Sequence, residues 1–440
     1  MVNIASVVNL SAKSLQLTVE YRNGTGTLQG SVNATVPARL KQDFIINDLG
    51  LLPDTYGTVC IRTKTKNRGA WMGGVTLYKD DPLTPEVFEF ALYYPFTNPL
   101  SGVYTVPLNT FHLGMEPSSL VANWVSIIDV GDNRSLRGTL TYRDALGSIV
   151  HSEKVLLMDL ARRDFSGHEA IAGPENRDAI GMVEFSPESE GVEYYLTATR
   201  YFYERSTSSG PRFHTALVIP FRPGTSQTLA GGVSTVNDEI SVVEINNVSI
   251  EPRLTSPAVK AQLNIFDSSG QSIGEEIIPV APFETRHVIV NESGSTGYLA
   301  NNTVGSAQVG SKNGTLSSLS LFYKLDQSEK LSYAYASPLV GSPEKSQISQ
   351  FNSFLEQINE TELHNTTDKP LEVVIELLNY DGTSLGKKSL LIPSHATERF
   401  QLDVPRDTYG SILIEASESG IVCRNYVTKP NQYRLPYPCL

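Results

Sequence analysis

Hydrophobic and polar residues alternate with a period of two along four separate stretches of this chain. Leu15, Leu17, Val19 and Tyr21 are interleaved with Gln16, Thr18 and Glu20. The pattern returns in Leu136, Leu140 and Tyr142, in Val259, Ala261, Leu263 and Ile265, and in Leu371, Val373, Ile375 and Leu377. Such alternation buries one face of a strand and wets the other, as in an antiparallel sheet. Each stretch runs into a turn opened by Asn or Asp and closed by Gly: Asn23 to Gly26, Asp144 to Gly147, Asp267 to Gly270, and Asp381-Gly382. These are hairpin signals.

The segments after each hairpin repeat as well. A second strand climbs to a bend at Val36-Pro37, Leu157-Met158, Ile278-Pro279 and Ile392-Pro393. A glycine then opens a short strand at Gly57, Gly181, Gly305 and Gly410, with spacings of 124, 124 and 105 residues (181 − 57, 305 − 181, 410 − 305). Next comes a strand with Tyr78, Tyr203, Tyr323 or Tyr426, and a closing strand broken by Pro95, Pro220, Pro338 or Pro436. Self-similarity at a domain-sized period reads as tandem duplication. With roughly seven short strands per repeat and no sustained helical period, the expected fold is all-β. The expectation is four tandem antiparallel, immunoglobulin-like β-sandwich domains in an elongated array, spanning 1–112, 113–235, 236–346 and 347–440.

The arrangement resembles the immunoglobulin-like or fibronectin-type-III-like repeats of exported bacterial surface proteins. Strand count, hairpins and period carry the resemblance, while the Cys…Trp…Cys pattern of antibody domains is absent. The resemblance implies non-enzymatic structural or adhesive work on a cell surface or in an extracellular filament. The rival readings are a carbohydrate-binding adhesin and a viral or phage spike component.

Composition narrows the classes. The chain is 40% hydrophobic and 19% charged, as a globular protein requires. Its net charge of −12, with no basic stripe, argues against nucleic acid as a partner. No apolar run reaches the roughly 18 residues that a membrane span needs. The opening MVNIASVVNLS has no cationic or apolar leader and falls at a repeat start, so a removed leader or a cut at a domain edge is expected. An extracellular or cell-surface location is expected on that ground and from Asn-x-Ser/Thr sequons at Asn9, Asn23, Asn33, Asn133, Asn247, Asn291, Asn301, Asn313, Asn359 and Asn365. Asn-rich turns produce such triplets too.

Of three cysteines, Cys423 and Cys439 sit on what read as the last two strands and could form a staple. Cys60 reads as a small buried hydrophobe. Signatures of phosphate loops, nucleophile elbows, dinucleotide sites and zinc proteases are absent, so neither an enzyme nor a cofactor is expected. The pair His168-Glu169 reads as an inert surface loop. Asp129 and Asp132 could offer oxygens to calcium, but the further carboxylates of a calcium site are missing. The best candidate contact surface is Lys64, Lys66, Arg68 and Trp71, where cations flank an aromatic ring able to face a sugar or merely to cap a sandwich. Trp124 reads as core. Expected partners are a cell-surface protein or glycan, or another copy joined head to tail through the first and fourth repeats by strand addition.

Overall fold

The computed structural model describes all residues except 53–54, 65–68, 81–87, 112, 114–118, 131–134, 174–177, 205–211, 220–222, 250–257, 292–296, 342, 431 and 440, and the side chains of Glu89, Glu204 and Arg212. The chain forms four β-sandwich modules.

Module 1 contains β1 (Val2–Asn9), β2 (Leu15–Asn23), β3 (Leu28–Val36), β4 (Lys41–Ile45), β5 (Gly57–Thr63), β6 (Trp71–Asp80) and β7 (Phe88–Pro95). Its sheets run β4-β1-β6-β7 and β3-β2-β5. Module 2 adds a strand, with β8 (Tyr104–Asn109), β9 (Ser119–Asp129), β10 (Leu136–Asp144) and β11 (Ile149–Leu157). It continues with β12 (Arg162–Ser166), helix α1 (Gly167–Ala172), β13 (Ile180–Pro187), β14 (Tyr194–Glu204) and β15 (Arg212–Ile219). Here the sheets are β12-β9-β14-β15 and β11-β10-β13-β8.

Module 3 keeps the same order: β16 (Leu229–Ser234), β17 (Glu239–Asn247), β18 (Val259–Asp267), β19 (Ser272–Val280) and β20 (Thr285–Ile289). It closes with β21 (Val304–Ser311), β22 (Leu316–Leu325), β23 (Leu331–Pro338) and the short β24 (Val340–Gly341). Module 4 has β25 (Ser346–Asn352), β26 (Ile358–Asn365), β27 (Leu371–Asn379) and β28 (Ser384–Ile392). Its remaining strands are β29 (Thr397–Gln401), β30 (Tyr409–Ala416), β31 (Ile421–Lys429) and β32 (Tyr433–Pro438). Every pairing within these sheets is antiparallel. Two of the expected boundaries move: β8 lies beside β13 and β16 beside β21, so modules 2 and 3 begin before Tyr104 and Leu229.

The marker glycines are equivalent, and the reason is local. In each module the hairpin strand shifts register by one residue, at Tyr21/Arg22, Tyr142/Arg143, Ile265/Phe266 and Leu377/Leu378. The residue opening the turn (Asn23, Asp144, Asp267 or Asn379) lies opposite the glycine. A Cβ there would collide with the carbonyl oxygen of Arg22, Arg143, Phe266 or Leu378. The bulge therefore selects glycine by close approach. In module 4 the turn opens at Asn379, two residues before the Asp381 that the sequence suggests.

The array is not elongated. The closing strands β7, β15, β23 and β32 converge, β7 touching β15, β15 touching β23, β23 touching β32, and β32 returning to β7. Phe90 and Leu92 meet Ala216 and Val218, while Leu331, Ala334 and Ala336 join the core of module 2. Phe322 and Tyr335 meet Tyr426, and Tyr78 and Tyr93 meet Tyr433 and Tyr437. Each large side chain so buried contributes roughly 1.5–3 kcal/mol.

A second ring of contacts lies outside the first. The hairpin turn of each module abuts the bend of the next, where Arg39, Leu160, Phe283 and His395 hold φ of 60°, 59°, 61° and 57°. A Cβ on Gly26, Gly147 or Gly270 would strike the backbone of Asp159, Pro282 or Ser394. Backbone hydrogen bonds from Arg162 to Gly24, Thr285 to Ala145 and Thr397 to Ser268 seal these three junctions. The fourth junction is looser: Gly382 faces only the Leu40 side chain, at 3.1 Å from a built Cβ, and the Lys41 ammonium lies 5.1 Å from the Tyr409 ring centre. Modules 1 and 4 thus meet inside one chain, which corrects the expectation that they would be free to join separate copies.

Candidate functional site

Of the expected contact loop the structure describes Lys64 and Trp71. Trp71 opens β6 opposite Asn9, is half-buried against the module 1 core, and stands edge-on to Phe96 at 5.9 Å. Tyr194, Leu316 and Ile421 hold the same place opposite Asp129, Asn247 and Asn365. It is therefore the end of a sandwich core in every module. Lys64 is exposed, and Lys66 and Arg68 lie outside the described residues. Trp124 corrects its reading in the other direction: it is 39% exposed and edge-on to His168.

The acidic loop is divided in the same way. Asp129 is buried and its carboxylate accepts the Leu136 amide at 3.1 Å, while Asp132 lies outside the described residues. Among the described residues no group of three or more His, Cys, Asp or Glu could hold a metal.

The structure sorts the sequons by what their amides do. Asn9 is fully buried and donates to the carbonyls of Lys13, Val36 and Pro37. Asn365 makes the same three bonds, to Lys369, Ile392 and Pro393, and Asn247 bonds Val280. Asn359 is buried against Asn352, and Asn291 spans Glu239 and Ser241. A glycan on any of these five would displace a hydrogen bond of the fold. Asn33, Asn301 and Asn313 are exposed, Asn23 is half-exposed in its turn, and Asn133 lies outside the described residues.

Cys423 and Cys439 form a disulfide, with Cα atoms 5.5 Å apart. Cys60 is free, half-buried, and outside the core cluster to which its neighbours Val59 and Ile61 belong. Burial pushes its thiol up.

A cleft of about 430 Å³ in module 2 is lined by His151, Glu153, Arg163, Asp164, Phe165, Ser166, Glu169 and Ala170. It adjoins α1, which contains the buried His168 rather than the surface loop that the sequence suggests. The Ser166 hydroxyl is 3.2 Å from His168 Nδ1, but that nitrogen already receives the Asn123 amide at 3.2 Å. Among the described residues no carboxylate bonds the ring, so the pair lacks the orienting group of a nucleophile–base system.

The densest chemistry lies between modules 3 and 4, where no sequence motif points to it. Arg434 on β32 donates to Glu239 at 3.1 Å and to Glu360 at 3.0 Å. Arg399 also holds Glu360, at 3.1 Å, and reaches the Ser234 hydroxyl of module 3 at 3.3 Å. Arg424 pairs with Glu362, which receives the His364 ring at 2.8 Å. Tyr333 and Tyr335 add hydroxyl donors to Glu239 at 3.1 and 3.2 Å. Three guanidiniums lie within 5.9 Å of the Tyr426 ring centre, balanced by three carboxylates. Burial alone would push the Glu362 carboxyl up, but the Arg424 charge and the His364 hydrogen bond hold it well below the usual carboxylate range. Burial lowers His364. Its Nε2 faces the Glu362 carboxylate and its Nδ1 lies 2.8 Å from the Thr397 hydroxyl. Gly232 of module 3 lets this cluster close, since a Cβ there would strike Arg424, Glu362 and His364. Of these ion pairs Arg434–Glu239 crosses from module 4 to module 3, while Arg399–Glu360, Arg434–Glu360 and Arg424–Glu362 lie within module 4.

No protein-family model matches the chain, and no curated protein matches it.

Proposed function

We propose that the chain is a non-enzymatic structural or adhesive block of a cell surface or extracellular assembly, of the immunoglobulin-like or fibronectin-type-III-like kind. The observation carrying this reading is the fate of the buried polar groups. In a buried cluster, the Arg434–Glu239 ion pair and the Arg399–Ser234 hydrogen bond join module 4 to module 3, while Arg399–Glu360 and Arg424–Glu362 pair within module 4. The Cys423–Cys439 bond supports placement in an oxidising compartment. The working surface is then the exterior of a closed ring. Labelling of intact source cells with an antibody to the folded chain tests this reading. Labelling without lysis is expected, and signal appearing only after lysis overturns it. A glycan array separates the carbohydrate-binding alternative, which requires saturable binding to a defined sugar.

A further inference from the structure

The mouth between the two sheets is built differently in module 2. On β11 the side chains that alternate toward the core are Leu157, Val155, Glu153 and His151. The first two are buried in the core, whereas Glu153 is half-buried and His151 is exposed. Register identifies the counterparts of His151. The residue opposite Tyr21, Tyr142, Ile265 or Leu377 is Gly30, His151, Gly274 or Gly386. Only module 2 carries a side chain there.

The other modules close this end of the sandwich with their own atoms. A Cβ on Gly30 would collide with the Leu49 carbonyl oxygen, and one on Gly274 with the Tyr298 ring. Tyr298 also donates its hydroxyl, at 2.8 Å, to Glu276, the counterpart of Glu153. Nothing approaches Gly386 in module 4, but there the counterpart of Glu153 is Lys388, whose ammonium lies 3.8 Å from the Phe400 ring centre. In module 2 the same place is the cleft of about 430 Å³ between β11, β12 and α1. That volume is in the range of small-ligand sites.

The polar groups of this cleft are uncommitted. Arg163, Glu169 and His151 make no hydrogen bond or ion pair among the described residues. Glu153 uses one oxygen to accept the Tyr142 hydroxyl at 2.8 Å. Asp164, by contrast, is taken up by Arg162 at 2.9 and 3.1 Å. Ring contacts set the positions: His151 lies 5.6 Å from the Tyr142 ring, and the Arg163 guanidinium lies 4.7 Å from the Phe165 ring centre. These contacts leave the hydrogen-bonding groups available.

Those groups select the chemistry of a ligand. Ionised Glu153 and Glu169 only accept hydrogen bonds, and Arg163 only donates them. An anion would satisfy Arg163 and be repelled by the two carboxylates, while an amine would satisfy the carboxylates and be repelled by Arg163. A hydroxyl both donates and accepts, so a ring bearing several hydroxyls meets all three groups without a charge of its own. The exposed His151 ring adds a flat face.

We propose that the module 2 cleft binds a saccharide, with Glu153 and Glu169 accepting from its hydroxyls and Arg163 donating to its oxygens. The proposal rests on the adhesive form of the reading above and gives it a site.

The labelled full chain is applied to a printed array of neutral, amino and acidic glycans, and the glycan bound best is titrated by calorimetry. Saturable binding to a neutral glycan is expected. Arg163→Gln and Glu169→Gln, both at exposed positions, should each weaken it by about tenfold or more, the loss of a charge-assisted hydrogen bond, while keeping the melting temperature of the parent. Absence of saturable binding to every glycan overturns the proposal. Binding that neither variant weakens overturns it too, because the sugar then sits elsewhere on the chain. Binding of acidic glycans alone, lost at high salt, would replace it with an anion site at Arg163. Antibody labelling of cells reports location and these titrations report the cleft, so the two readings fail separately.

Discussion

Arg434 and Glu239 are 195 residues apart in sequence and 3.1 Å apart in the structure, both buried, on strands of different modules. Removing one partner leaves an uncompensated charge, which costs about 3–5 kcal/mol. Arg434→Ala should therefore lower the denaturant midpoint substantially. Arg434→Met combined with Glu239→Gln should recover part of the loss. If the single variant matches the parent, the joint is not held by this pair.

Acid should weaken the same joint in two stages. His364 has its proton affinity lowered by burial, so its neutral form contributes stability that falls as pH drops below the unfolded value near 6.5. Glu362 is held below the usual range despite its burial, so its contribution is present above about pH 4.3 and is lost as pH falls further. Melting temperature recorded from pH 8 to 3 should decline below pH 6.5 and more steeply below 4.3. His364→Gln should flatten the first stage only.

Closure into a ring fixes the molecule's dimensions. The scaling for compact chains gives a radius of gyration of about 22 Å for a chain of this length. Four modules about 30 Å long set end to end would give about 35 Å. Small-angle X-ray scattering should return a value near the lower figure, and one near the upper would refute the closed ring.

The hairpin glycines should differ in their tolerance. Gly270 and Gly382 both have positive φ, 90° and 87°, so alanine costs about 1–2 kcal/mol of backbone strain at either. Only at Gly270 does the new methyl also strike a neighbouring backbone, that of Ser394. Calorimetry should show Gly270→Ala losing more melting temperature than Gly382→Ala.

Thiol titration reads the cysteines directly. Unfolded, unreduced protein should show one reactive thiol, Cys60, and fully reduced protein three. Cys439→Ser should destabilise module 4 by about 3 kcal/mol, the effect expected for a bridge closing a loop of this size.

The sequence by itself determined the modules. Alternation along β2, β10, β18 and β27, the Asx-to-Gly turns and the marker glycines are local requirements, set by pleat, turn geometry and one close carbonyl. Pleat and turn act between near neighbours in sequence, and the glycine recurs at the same place after every hairpin strand whose carbonyl it must approach, so all three are visible in a linear pattern. Asn9, Asn247 and Asn365 show the limit of such patterns: the triplet suggests a glycan acceptor, while burial makes each amide a clamp on distant carbonyls. Only the tertiary structure decided that the modules close into a ring and that Trp124 is outside and His168 inside. The buried charges were likewise invisible in advance. Arg399, Arg424, Arg434, Glu239, Glu360 and Glu362 sit among ordinary strand residues; Arg424 and Glu362 pair across neighbouring strands of module 4, while Arg434 meets Glu239 only through the packing of module 4 on module 3. An ion pair between modules depends on where whole sandwiches come to rest, and no periodicity within a strand encodes that.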